Sequence, residues 1–198
     1  MIGLLYETER CLDGLRLDAE GYFRPLSERR EPVRIITADL ANPVAIQLAN
    51  ADDLVRFMSW YSAGDIITPG TFPRDYTPHI HITRIEAMKL AFRQFLIDAS
   101  GPNPVDTFVA LSRPFVSLKA SLRLYEGKPQ LLAQCDDLLN FLRAETMLIA
   151  LEGAKVVVCE QCQDLFLAGP GTGRRVHAIH CSDKCRVASS RARKKEED

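Results

Sequence analysis

The chain has 198 residues, 46% hydrophobic and 26% charged, with a formal net charge of −1. That is the make-up of one globular domain, or one with a small appendage, and it excludes low-complexity or fibrous character. No apolar run approaches the roughly 20 residues that span a bilayer, and Met1–Glu7 turns acidic too early for a signal peptide, so a cytoplasmic protein with no membrane partner is expected.

In chain order, the first fifty residues read as short strands broken by turns. Gly14–Asp18 alternates, Glu20-Gly21 can turn the chain, and Val33–Ile36 is a further strand. Pro25, Pro32 and Pro43 keep this region from forming long helix. A helix follows from Asp52 to Ser62, capped by Asn50 or Asp52 and stopped at Gly64, with Leu54, Phe57, Met58 and Tyr61 on one face. Residues 66–78 read as loop. A second helix over Thr83–Ala99, stopped at Gly101-Pro102, shows a wide apolar face of Ile85, Met88, Leu90, Ala91, Phe92, Phe95 and Leu96. A hairpin is expected over 115–134, turning at Glu126–Pro129. The last core helix, Asp136–Glu152, points Leu138, Leu139, Leu142, Met147 and Leu148 inward. These elements give an α+β domain over residues 1–154, large enough to bury its own core.

Residues 155–198 are different. Cys159-Glu160-Gln161-Cys162 and Cys181-Ser182-Asp183-Lys184-Cys185 form two tight pairs separated by 18 residues. A C-x2-C turn lets both thiolates face one ion at about 2.3 Å, and a second pair completes the tetrahedron that zinc prefers. Val156–Val158 and Leu165–Leu167 read as strands around the first pair, a zinc knuckle. The second pair opens a helix that Ser182 or Asp183 can cap. Knuckle plus helix start is the ligand arrangement of treble-clef folds. Cys185, Ala188 and Ala192 would lie against the knuckle. Gly169–Gly173 is read as a spacer, since it lacks the P-loop pattern. His177 and His180 precede the second pair and either can stand in for a cysteine. Four cysteine ligands, however, already close the site and leave no position for a reacting water. One structural Zn2+ is therefore expected, on Cys159, Cys162, Cys181 and Cys185. Cys11 and Cys135 have no spaced partner and read as plain thiols.

Charge is unevenly placed. Residues 155–198 carry nine Lys/Arg against six Asp/Glu, a net of +3, while residues 1–154 carry sixteen against twenty, a net of −4. Arg174, Arg175, Arg186, Arg191, Arg193, Lys194 and Lys195 are the candidates to meet a polyanion.

The segment Cys159–Lys195 resembles the zinc-binding C-terminal part of the bacterial CGNR zinc-finger proteins. It shares C-x2-C followed by an aromatic strand (Leu165-Phe166-Leu167), an Arg-rich loop, and a Cys pair opening a basic helix. The eponymous Cys-Gly-Asn-Arg is Cys185-Arg186-Val187-Ala188 here. Such proteins carry an N-terminal α+β domain of the ABATE type, and the element order before residue 155 is similar. They are described as transcription regulators, so the resemblance implies DNA binding. The alternative expectation is a protein-interaction or small-ligand-sensing module, with the effector or partner at the N-terminal domain and zinc purely structural. An enzyme is not expected: His79 and His81 would share one side of an extended chain, but no carboxylate or cysteine is spaced to complete a site.

Overall fold

The structure, a computed structural model, describes residues 3–37, 40–61, 80–99, 118–125 and 127–197. It is a mixed α+β fold. The described elements are β1 (Gly3–Cys11), β2 (Leu15–Leu17), β3 (Phe23–Pro25), β4 (Arg30–Thr37), α1 (Val44–Asn50), α2 (Leu54–Tyr61), α3 (Ile82–Ala99), β5 (Leu118–Tyr125), β6 (Lys128–Cys135), α4 (Leu138–Leu151), β7 (Lys155–Val158), β8 (Leu165–Ala168) and α5 (Asp183–Glu197). The stop at Gly64, loop 66–78, His79, the stop at Gly101-Pro102 and the hairpin start at Phe115 lie outside the described residues.

The main sheet has the order β4-β1-β6-β5. Its central strand, β1, pairs antiparallel with β4 (Leu4 opposite Thr37) and parallel with β6 (Tyr6 opposite Cys135). The β5–β6 hairpin runs from Leu118 opposite Cys135 to Tyr125 opposite Lys128. Tyr6 on the sheet meets Phe141 of α4, ring centroids 5.8 Å apart, and this contact sits in the core.

Several expectations need correcting. Helix α1 was not foreseen. It is seven residues long and buries Val44, Ala45, Ile46, Leu48 and Ala49, and its polar edge is only Gln47 and Asn50, too short to show a helical period. Asp53 caps α2, its Oδ1 accepting from the Arg56 N–H at 2.9 Å, in place of Asn50 or Asp52. The face of α3 is narrower than expected: Ile85, Phe92 and Leu96 are buried, whereas Leu90 and Ala91 are exposed.

The inward face of α4 is also rotated. Leu138, Phe141, Leu142, Glu145 and Ile149 are buried, while Leu139, Met147 and Leu148 are only half-buried. Glu145 lies on this stripe and is fully buried. Its Oε1 accepts from Thr37 Oγ1 at 2.6 Å and its Oε2 from the Ala45 N–H at 2.6 Å, which ties the end of β4 to the start of α1. Burial pushes its carboxyl up to about 7, although the Thr37 hydroxyl and the Ala45 and Val44 N–H groups favour the charged form. Cys11 and Cys135 are buried free thiols, and burial raises both, Cys135 to about 12.

The β7–β8 hairpin joins the metal-binding region to the core. Leu165 and Leu167 belong to the main core, while Phe166 and Ala168 join Cys159 in a second apolar cluster. Asn50 at the end of α1 completes the docking. Its Oδ1 accepts from the Leu165 N–H and its Nδ2 donates to the Leu165 carbonyl, both at 2.7 Å. Arg93 of α3 donates to the Gln163 carbonyl at 2.5 Å and lies 3.4 Å from Asn50 Oδ1.

Candidate metal centre

The first cysteine pair sits on the turn between β7 and β8. The Cys159 N–H donates to the Asp164 carbonyl at 2.8 Å, and the Gln163 N–H donates to the Cys159 carbonyl at 2.9 Å. Gln163 adopts a φ of 64°, a left-handed conformation that turns the chain from Cys162 back toward β8. The second pair straddles the start of α5. Ser182 provides the cap, its Oγ accepting from the Cys185 N–H at 3.3 Å, and Arg186 N to Ser182 O at 3.1 Å closes the first helical turn.

These two local structures bring all four sulfurs within 4.8 Å of one another. Cys162 Sγ lies 3.6 Å from Cys181 Sγ, which lies 3.5 Å from Cys185 Sγ. A tetrahedron with metal–sulfur bonds of about 2.3 Å has edges of about 3.8 Å, so these spacings suit one shared ion. They are far too long for a disulfide, whose sulfurs lie about 2.05 Å apart. The group can hold a metal ion, and thiolate sulfur is a donor type that zinc accepts.

Ionisation is unevenly favoured across the cluster. Burial opposes ionisation of Cys159, but N–H groups of Cys162, Cys181 and Gln161 directed at its sulfur outweigh burial and hold the thiol down to about 6. Cys181 is pushed up, first by desolvation and then by the Cys185 sulfur, against the opposing effects of Cys162 and the Ser182 hydroxyl. Cys162 is also raised: the Asp164 N–H favours its thiolate, but desolvation and the neighbouring Cys159 and Cys181 sulfurs prevail. The cluster therefore accommodates the Cys159 thiolate easily and resists ionisation of Cys162 and Cys181, and a divalent ion at the site would offset that resistance.

Neither histidine belongs to the sulfur cluster. His177 is exposed; His180 buries Nε2 without a hydrogen-bond partner, 4.0 Å from Glu160 Oε2. Farther away, His81 turns both ring nitrogens on the chain itself, Nδ1 to Thr83 Oγ1 at 2.7 Å and Nε2 to the Glu20 carbonyl at 2.8 Å.

The basic candidates divide into two sets. Arg174, Arg175 and Arg186 line one cleft of about 860 Å³, along with His177, His180, Cys181 and Asp183. Arg174 donates from Nη2 to the Cys181 carbonyl at 2.9 Å and lies over the Phe166 ring, 5.6 Å from its centroid. Arg191 and Arg193 are exposed on α5, and Lys194 and Lys195 continue that helix. The expected packing of Ala192 against the knuckle is not seen. Cys185 and Ala188 are half-buried but Ala192 is exposed, because the small knuckle reaches only the first turns of a 15-residue helix.

Asn50 and Arg93, which tether the centre, were not identified in that role from sequence. Single polar residues more than sixty positions from their partners carry no local pattern. Among the described residues no helix is long and apolar enough to cross a membrane. Comparison of the chain with protein-family models, with curated proteins and with solved structures gives no match.

Proposed function

We propose that this protein binds one structural Zn2+ through Cys159, Cys162, Cys181 and Cys185 in a treble-clef-like module, and uses that module to bind DNA as a transcription regulator. The carrying observation is the convergence of four sulfurs within 4.8 Å, on a turn and on the start of a helix that carries Arg186, Arg191 and Arg193. The CGNR and ABATE resemblance supports the same reading. In it, the chain works by binding and not by catalysis, since four thiolates leave the ion no open position. Backbone phosphates are the first contacts, drawn from Arg174, Arg175, Arg186, Arg191, Arg193, Lys194 and Lys195, with base edges open to arginine forks.

The test is metal analysis combined with a salt-titrated duplex shift. One zinc per chain is expected. If about four phosphates are neutralised, log affinity falls against log salt with a slope of roughly −3.6. A flat salt response, or no shift with any duplex at low salt, sinks the DNA reading.

A second reading is favoured by a cleft of about 460 Å³ in the N-terminal region, walled by Phe57, Trp60 and Tyr61 and edged by Asp52, Asp53 and Arg56. Trp60 is 53% exposed and stacks with Arg10, whose guanidinium lies 4.6 Å from the ring centroid. Here the N-terminal region binds a small effector or a protein, and zinc only staples the C-terminal part. Purification of a stable protein complex free of nucleic acid by ultraviolet absorbance supports this second reading.

A further inference from the structure

We propose that the cleft between loop 173–182 and the first turn of α5 is a phosphate seat, filled by a backbone phosphodiester of bound nucleic acid. This rests on the nucleic-acid reading above and makes it specific: the main anion contact lies beside the metal centre, not along the outer length of α5.

Three guanidinium groups meet in this cleft in three different states. Arg174 is held in place by the Cys181 carbonyl and the Phe166 ring, and its other N–H donors have no protein acceptor among the described residues. Arg175 is exposed, with no hydrogen bond or ion pair from its side chain among the described residues. Arg186 reaches Asp183 Oδ1 from Nε at 3.2 Å and from Nη2 at 3.1 Å. That pair is open to water, with side chains 67% and 91% exposed, so it is weak and a phosphate can displace it.

The loop bearing Arg174 and Arg175 is braced before any ligand arrives. Gly169 N donates to the Arg174 carbonyl at 3.0 Å, and Ala178 N to the Arg175 carbonyl at 2.9 Å. Thr172 Oγ1 donates to the Gly169 carbonyl at 2.8 Å, and Glu160 N to the Ile179 carbonyl at 3.1 Å. A loop backbone and an Arg174 guanidinium fixed in advance lose little freedom on binding.

The net charge decides the kind of recognition. Zinc held by four thiolates carries about −2, and Asp183 adds one more negative charge, so the three arginines roughly cancel the local field. Attraction from a distance is therefore small here. Binding relies on direct, forked N–H contacts to phosphate oxygens, a geometry lysine does not reproduce.

The experiment uses the full-length zinc-loaded protein and a 20-base-pair duplex over a range of salt. The pair Arg175→Ala with Arg186→Ala should retain zinc, lose about tenfold or more in affinity, and show a slope shallower by about 1.8. The lysine pair, Arg175→Lys with Arg186→Lys, should keep most of the slope and still lose several-fold in affinity. Arg191→Ala with Arg193→Ala should lose less than the alanine pair in the cleft. As a check independent of variants, the Nε–H resonances of Arg175 and Arg186 in the wild type should shift on adding duplex. Inorganic phosphate should shift them only at far higher concentration.

Cleft variants that bind duplex like the wild type at every salt overturn the proposal while leaving the DNA reading intact. Saturation by micromolar inorganic phosphate, with no response of these resonances to duplex, overturns it in favour of a free-anion site. A wild type that binds no duplex at low salt removes both.

Discussion

The core around α4 and the cluster around Cys159 each bury ionisable groups, and they satisfy them by different means. Glu145 is surrounded by donors from its own chain, the Thr37 hydroxyl and the N–H groups at the start of α1. The cysteine cluster has N–H donors enough to favour the Cys159 thiolate, while Cys162 and Cys181 are pushed the other way. Glu145 is therefore satisfied by its own chain, whereas the cysteine cluster is arranged to take an ion from outside. The difference follows from size: the main body buries a broad apolar core, while the second cluster has only Phe166, Ala168 and Cys159 fully inside.

The largest expected break in this contrast is Cys159→Ser. It removes the most buried ligand, and with it metal binding worth about 10–16 kcal/mol in comparable sites. Zinc stoichiometry should fall well below one, and amide exchange should accelerate across α5 while β1 and α4 stay protected. Equal loss of protection in both regions would contradict the contrast. In the main body, Glu145→Ala should cost on the order of 4 kcal/mol in denaturant unfolding, since it strands the Thr37 hydroxyl and the Ala45 N–H. Zinc content should not change.

A smaller effect separates the regions by pH. An acid whose folded pKa lies above its unfolded value binds more protons when folded, so its contribution to stability falls as pH rises. For Glu145 the window runs from 4.5 to about 7, with no further change above it. Relative to Glu145→Gln, the wild type should lose about 3 kcal/mol across that window, measured by urea titration. A constant difference between the two proteins would show that Glu145 is already charged at the lower end.

Asn50→Ala tests the seam. It deletes both bonds to Leu165 and should cost about 2 kcal/mol, seen as faster exchange in β8 with zinc retained. The smallest is Asp53→Ala, which removes the cap of α2 for about 1 kcal/mol and should leave the metal centre untouched.

How much of this was legible depended on whether the signal was local. Cysteine spacing, the strands around Cys159 and the helix opened by Ser182 are set within a few residues, and all three were readable. The strand β1 was not, because its place comes from a parallel pairing with β6 over a hundred residues away. The face of α4 was misread because a charged residue, Glu145, sits on the buried stripe. Its partners, Thr37 and Ala45, are likewise about a hundred positions away. Asn50 looked like a helix cap and instead mimics a strand partner for Leu165. At the metal centre, the ligand types and their grouping were visible. The division of the arginines into a cleft set and a helix set was not, since it depends on how far a 15-residue helix extends past a small knuckle.

Strand β8 works as a party wall. Leu165 and Leu167 furnish one room and Phe166 and Ala168 the other, by the simple alternation of a strand. Severing the chain after Gly153 would therefore not release a self-contained body. It would leave an open apolar slot where Leu165 and Leu167 had been, and an Asn50 side chain that has lost both its bonds to Leu165. The seam between the regions is a shared structural member, and the fragment that remained would be prone to self-association.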